Sequence, residues 1–300
     1  MENGNPKFKV ILALAFGLTA FGFAPILVRL ATGYSAFLVA ALRTTFAFLI
    51  LIPVFIYSRI YQKKEQPSKP AAQPWLLIAS GVLLGLHFIC WISSLYFTSV
   101  ASASILVTIH PILLIVAESL VFKARFQKTI WVGVFLAFFG SLILGYSDYN
   151  SESGFSNPAL GNGLALIAAV IFAIYFLIGR KVRQQTTWLD YVFPVYGYAA
   201  LTCLAVLFTV DGFSPVLDST VLLIGLGLAI GPQIMGHGSI NYAVKYVSPT
   251  LLSTLILTEP ILSSIMAFFF FDEWPVLLSL AGMVLILAGV ILTWARKAVV

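Results

Sequence analysis

The apolar run 247–271 carries Thr258-Glu259-Pro260-Ile261-Leu262 at its middle, a carboxylate beside a helix breaker. A carboxyl there can bind a cationic group or take up and release a proton, and the proline leaves the Ile256 carbonyl without its usual helical donor. Ile109-His110-Pro111-Ile112-Leu113 repeats the pattern earlier, with an imidazole in place of the carboxylate and the Val107 carbonyl freed. Imidazole changes charge near neutral pH, so His110 is a second candidate proton group. Gln233, His237 and Asn241 recur at four-residue spacing, which makes one polar stripe along a helix. Ser80, His87, Trp91 and Ser94 also share a helical face, and the Trp91 ring could stack on an organic molecule. Arg43 lies about seven residues inside its run, roughly 10 Å along a helix. Its planar fork suits a carboxylate or phosphate, unless it snorkels outward. Each group also has a plainer use: hydrogen bonding between helices, aromatic packing, or a static kink at each proline.

These residues sit in a chain built for lipid. Of 300 residues, 60% are hydrophobic and only 9% charged, against about 25% charged in ordinary globular domains. Apolar runs near the membrane-spanning length recur at 8–28, 36–57, 75–95, 100–121, 130–146, 160–179, 190–210, 219–240, 247–271 and 276–295. They are continuous rather than alternating, so an all-α membrane protein of ten helices is predicted and a β-barrel is not. The first run follows Lys7 and Lys9 as a secretory signal would, but nine more runs follow, so it is read as a retained helix. Glu259 lies about twelve residues from either end of its run, roughly 18 Å deep, and an ionisable group at such depth is a functional candidate by default.

The basic residues set an orientation. All seventeen except Arg29 and Arg43 fall on one set of alternate connections or at the termini. The other connections carry no lysine and hold Asp148, Glu152, Asp211, Asp218, Asp272 and Glu273. The positive-inside rule then predicts both termini in the cytoplasm, with 62–73 as an inner linker and 148–158 as an outer one. The net charge of +6 is thereby read as a topology signal rather than a nucleic-acid footprint, although a polybasic loop could also meet anionic lipid. Glu118 and Arg29, near helix ends, are expected at the interface.

Sliding the second half back by 149 positions places Pro260 on Pro111, Ile261 and Leu262 on Ile112 and Leu113, Gly282 on Gly133 and Gly289 on Gly140. Two five-helix repeats are therefore expected, at 1–147 and 159–300, joined by the outer linker 148–158. Five is odd, so the copies must be inverted, an architecture of secondary transporters with the solute site near the midplane. The glycines are expected to allow close helix packing.

A midhelix Glu259-Pro260, an acidic Glu273 thirteen positions later, and the spaced Gly282 and Gly289 resemble the drug/metabolite transporter superfamily, EamA type. The first repeat departs from that pattern, with His110 and Ala124 where the second has Glu259 and Glu273. The resemblance implies carriage of a small organic solute such as an amino acid, metabolite or drug, often by export. In some branches it implies nucleotide sugars or phosphorylated sugars. The expected protein is thus a transporter of the bacterial inner membrane, with protons as a candidate coupling ion. Glu259, His110, His87, His237, Gln233, Asn241, Trp91 and Arg43 are its candidate solute or proton groups, and Pro111 and Pro260 its candidate hinges. An intramembrane enzyme or a receptor scaffold is the competing class. No GxxxxGK[ST] or HExxH motif occurs, and Cys90 and Cys203 lie within apolar runs, so no cofactor, metal or disulfide is expected.

Overall fold

The computed structural model describes residues 6–61, 73–98, 103, 106–149, 156–213, 215–271 and 277–295, and every regular element among them is helical. α1 (Pro6–Leu30), α2 (Ala36–Tyr61) and α3 (Pro74–Phe97) precede α4 (His110–Val121) and α5 (Lys128–Tyr149). α6 (Pro158–Arg183) and α7 (Trp188–Val210) follow. α8 (Ser219–Leu228) then runs through a π-helical segment (Ala229–His237) into α9 (Gly238–Ala243). α10 (Pro249–Ile256), α11 (Glu259–Phe271) and α12 (Leu277–Ala295) complete the order. Among the described residues, 8 helices are long and apolar enough to cross a membrane, with His110–Val121 and Lys128–Ile143 as shorter apolar helices beside them. The bulk of both expected linkers (62–72 and 150–155), with Glu152, Asp272, Glu273, Arg296 and Lys297, lies outside the described residues.

Helix is what this composition dictates, because hydrocarbon offers no partner to backbone polar groups and each must be satisfied within the segment. Polar residues mark the starts. Asn157 accepts from Leu160 N at the head of α6, Asp218 from Val221 N at α8, and Ser248 from Leu251 N at α10. Each such cap contributes about 1 kcal/mol.

Side-chain bonds define two ends of the bundle. At the basic end, Arg59 of α2 pairs with Asp190 of α7, and Gln184 donates to the Lys245 carbonyl (3.0 Å). At the acidic end, the Tyr34 hydroxyl donates to Asp218 (2.6 Å) and Thr98 donates to Asn162 (2.9 Å).

The expected glycine packing joins α5 to α12. A Cβ on Gly140 would lie 2.7 Å from the Gly282 carbonyl and 2.7 Å from Ile286 N, and one on Gly289 would lie 2.6 Å from the Gly133 carbonyl. The repeat-related glycines thus face each other at backbone contact, where only a missing side chain lets the helices approach.

The two prolines do more than kink. The helix before α11 ends at Ile256, Leu257 and Thr258 form a turn, and the Thr258 carbonyl accepts from Ile261 N and Leu262 N, both at 3.1 Å. The Ile109 carbonyl does the same for Ile112 N (3.0 Å) and Leu113 N (3.3 Å) at the head of α4. Pro111 and Pro260 each occupy the second residue of a new helix, where a missing N–H costs nothing. The break is therefore a restart of the helix, in the same place in both halves.

Candidate functional site

The two restarts open onto one cavity of ≈ 50 Å³ in the middle of the bundle. Arg43 of α2, His87 and Trp91 of α3, His110, His237 and Glu259 all line it. Six of the eight candidate groups, drawn from five helical segments, are thus brought together. Phe21, Phe88 and Phe172 supply aromatic wall. α4 and α11 both begin here, so the positive ends of two helix dipoles lie at the cavity.

Arg43 does not snorkel: it is 1% exposed, its Nε donates to Gln233 Oε1 at 2.9 Å, and its guanidinium carbon lies 3.9 Å from the centre of the Phe88 ring. Among the described residues only Nε is hydrogen-bonded, which leaves the terminal Nη fork available. Such a fork on an aromatic face is pre-organised for a carboxylate or phosphate. Glu259 is partly buried, and among the described residues its carboxyl makes no hydrogen bond. It lies within electrostatic reach of Arg43 without pairing at 4 Å or less.

The histidines surround Phe172. Its ring centre is 4.9 Å from that of His110, 5.2 Å from His87 and 6.0 Å from His237. The His110 Nδ1 binds the Val107 carbonyl at 2.7 Å. This is the acceptor that Pro111 frees, so the residue beside the proline fills the gap it makes. A carbonyl can only accept, hence Nδ1 carries the hydrogen, and Nε2 is left as a buried atom without a partner among the described residues. His87 Nδ1 is held likewise by the Ala168 carbonyl at 2.9 Å.

The stripe on the eighth span divides. His237 lines the cavity, Gln233 holds Arg43, and Asn241 stands apart, accepting from the Tyr175 hydroxyl at 2.8 Å. The three sit on successive turns: four residues rise about 6 Å in an α-helix, so each meets a different layer of neighbours. Ala229–His237 is π-helical around Pro232, which lacks the N–H that an α-helical ladder needs. Trp91 contributes to the wall, while Ser80 binds the Tyr191 hydroxyl (2.6 Å) and Ser94 the Trp91 carbonyl (2.7 Å).

Between the cavity and the basic end lie further buried polar contacts, of which the Glu118–Thr250 pair joins the two halves. Glu118 is only 5% exposed, contrary to the interfacial position expected for it. Its Oε2 accepts from Thr250 N (2.8 Å) and Thr250 Oγ1 (2.5 Å) at the start of α10. Its distance from the end of α4 suggested water, but lateral packing of α10 removes it. Arg183, read only as a topology charge, is 2% exposed and donates to the Asn241 and Thr186 carbonyls. Tyr175, Tyr191 and Tyr196 are buried beside these groups. Sequence reasoning passed over these tyrosines and Phe172, because aromatics are common in every span. Glu118 did carry a signal, as an acid within an apolar run.

Residues 8–146 and 159–295 match the EamA-like transporter family. An uncharacterized transporter YdfC of Bacillus subtilis is 25% identical over 66% of this chain and 63% of its own length, so the chain spans less than two thirds of that relative. An uncharacterized transporter of Archaeoglobus fulgidus is 25% identical over 85% of this chain and 86% of its own. The pseudopaline exporter CntI of Pseudomonas aeruginosa is 25% identical over 72% of this chain and 73% of its own. A solved crystal structure shares the fold with a TM-score of 0.76 at 17% identity, covering 96% of this chain and 97% of that one. With its apolar membrane-spanning helices, the chain is an integral multi-pass protein of the inner membrane that belongs to the EamA-like transporter family.

Proposed function

We propose that the protein is a secondary transporter that exports a small organic solute, opening its central cavity alternately to the two sides of the membrane. Both termini and the basic end face the cytoplasm in this reading, and 1–147 and 159–300 are the two inverted repeats. The observation that carries it is the meeting of an unbonded carboxyl, a free guanidinium fork and two repeat-related helix restarts at one cavity. The direction follows the relative named as an exporter.

Arg43 and the two helix starts hold an anionic group of the solute, a carboxylate or phosphate, while Phe21, Phe88, Trp91 and Phe172 cover its apolar part. Glu259 takes up a proton from one side and releases it to the other. His110 presents Nε2 as a hydrogen-bond acceptor for solute or proton. The cavity of ≈ 50 Å³ is far below the roughly 300 Å³ of a small-molecule pocket, so its walls must part to admit a solute. Pro111 and Pro260 act as hinges for that movement. The contacts of Glu118 and Arg183 close the basic end and must yield when that side opens.

The test compares metabolites in medium and cytoplasm for cells overproducing the wild type, the Glu259→Gln variant, or neither. A solute should accumulate in the medium with the wild type alone, and exchange of that solute without a proton gradient should survive in Glu259→Gln. No difference between wild type and empty cells would sink the transport reading. Undiminished, pH-dependent net export by Glu259→Gln would remove Glu259 from the coupling role.

A further inference from the structure

A second cavity lies on the other side of α3 from the central one. It is a half-enclosed crevice of ≈ 280 Å³ between the acidic-end parts of α2, α3 and α6, walled by Phe37, Ile89, Cys90, Ser93, Phe97 and Leu164. This space exceeds the central cavity several times over and approaches the lower limit of roughly 300 Å³ for ligand pockets. Its wall is almost wholly apolar, so water gains too few hydrogen bonds to fill it, and an empty space of that size forfeits the packing of everything around it. In a membrane the apolar matter at hand is the acyl chain.

Two hydroxyl-bearing residues interrupt the wall: Tyr96 is satisfied, donating to the Ala31 carbonyl at 2.9 Å, and Ser93 is not. Ser93 is 6% exposed, and its Oγ has no hydrogen-bond partner among the described residues. Its neighbour Ser94 shows the usual alternative, bonding back to the Trp91 carbonyl at 2.7 Å. A buried hydroxyl beside an apolar crevice calls for an acceptor that the protein does not supply. Ser93 lies four residues before the end of α3, about 6 Å along the axis. That is the depth at which hydrocarbon gives way to the polar headgroup region, where a phospholipid carries its ester carbonyls.

We infer that the crevice between α2, α3 and α6 binds one acyl chain of a membrane phospholipid, with the Ser93 hydroxyl, closed off in this structure, turning about χ1 to donate to the ester carbonyl of that chain. The site is separate from the transport cavity and does not depend on which solute is carried. α3 lies between the two, with His87 and Trp91 on the central cavity and Ile89, Cys90 and Ser93 on the crevice. The bound chain therefore props α2 and α3 apart while their other faces line the transport path.

The test is native mass spectrometry of the full-length protein released from nanodiscs of palmitoyl-oleoyl phosphatidylglycerol. One phospholipid should persist at activation energies that strip the rest, and Cys90→Phe, which puts a phenyl ring into the crevice and narrows it, should lose it. The ester bond is checked with the ether-linked analogue, which lacks the carbonyl. Retention should fall about threefold to tenfold with Ser93→Ala or with the ether lipid, and no further when both are combined. If Cys90→Phe does not fold, maleimide labelling of wild-type Cys90 replaces it, since Cys203 is 0% exposed and stays silent. Added phospholipid should slow that labelling. Complete stripping of the wild type, equal retention in Cys90→Phe, or a retained fatty acid or detergent mass would each overturn the assignment. Ester and ether lipids held equally well would remove Ser93 from it.

Discussion

Removing the Glu118 carboxylate should shift the protein toward the conformation open at the basic end. Glu118 Oε2 accepts two bonds from Thr250, at 2.8 Å to N and 2.5 Å to Oγ1, and joins the first half of the chain to the start of α10 in the second. A hydrogen bond to a charged group contributes roughly 1.5–3 kcal/mol. Two at the lower figure total about 3 kcal/mol, which is more than a hundredfold in a population ratio. No matching contact can form at the other end through the repeat, because the same shift of 149 positions puts Ala267 at the place of Glu118 and Ala101 at that of Thr250. The perturbation is therefore one-sided. In a Cys90→Ser, Cys203→Ala background, spin labels at Leu120 and Tyr246, which are 75% and 48% exposed, report the separation of α4 from the loop that leads into α10. Glu118→Ala should move most of the distance distribution to a longer component. Glu118→Gln, which keeps an acceptor but not the charge, should fall between. An unchanged distribution in a folded Glu118→Ala variant would refute the reasoning, since a contact that costs nothing to lose cannot hold a gate.

Three further outcomes follow from the geometry. Pro111→Ala restores an N–H that competes with His110 Nδ1 for the Val107 carbonyl, so it and Pro260→Ala should slow transport more than they lower abundance in the membrane; wild-type rates in both would make the restarts static. Arg43→Lys keeps a charge but neither the fork nor the Nε bond to Gln233, and should weaken solute binding by about tenfold, or 1.4 kcal/mol, in a solute-dependent melting assay of the purified protein. Gly140→Leu drives a side chain into the Gly282 carbonyl and should destabilise the α5–α12 pair by about 1–3 kcal/mol, read as a lower melting temperature; because backbone rather than a flexible side chain blocks the space, Gly140→Ala should lower it too.

The sequence by itself determined the helical class, the repeat, and which polar residues to watch. Hydrocarbon makes every buried polar group costly, so Glu259, His110, His87, His237 and Arg43 stand out by type alone, and the paired prolines mark the restarts. What it could not decide is how neighbours from distant spans dispose of each group. Arg43 was equally compatible with snorkelling until Gln233 and Phe88 were seen to hold it inward. Glu118 read as interfacial from its place along α4, but burial depends on lateral packing, and α10 covers it. The stripe of Gln233, His237 and Asn241 marks one face, but each turn of it lies at a different depth, and the helices alongside at each depth give the three different partners. Periodicity and depth are properties of one segment and survive in its sequence. Partnership and burial are set by which helices lie alongside, and only the packed bundle decides them.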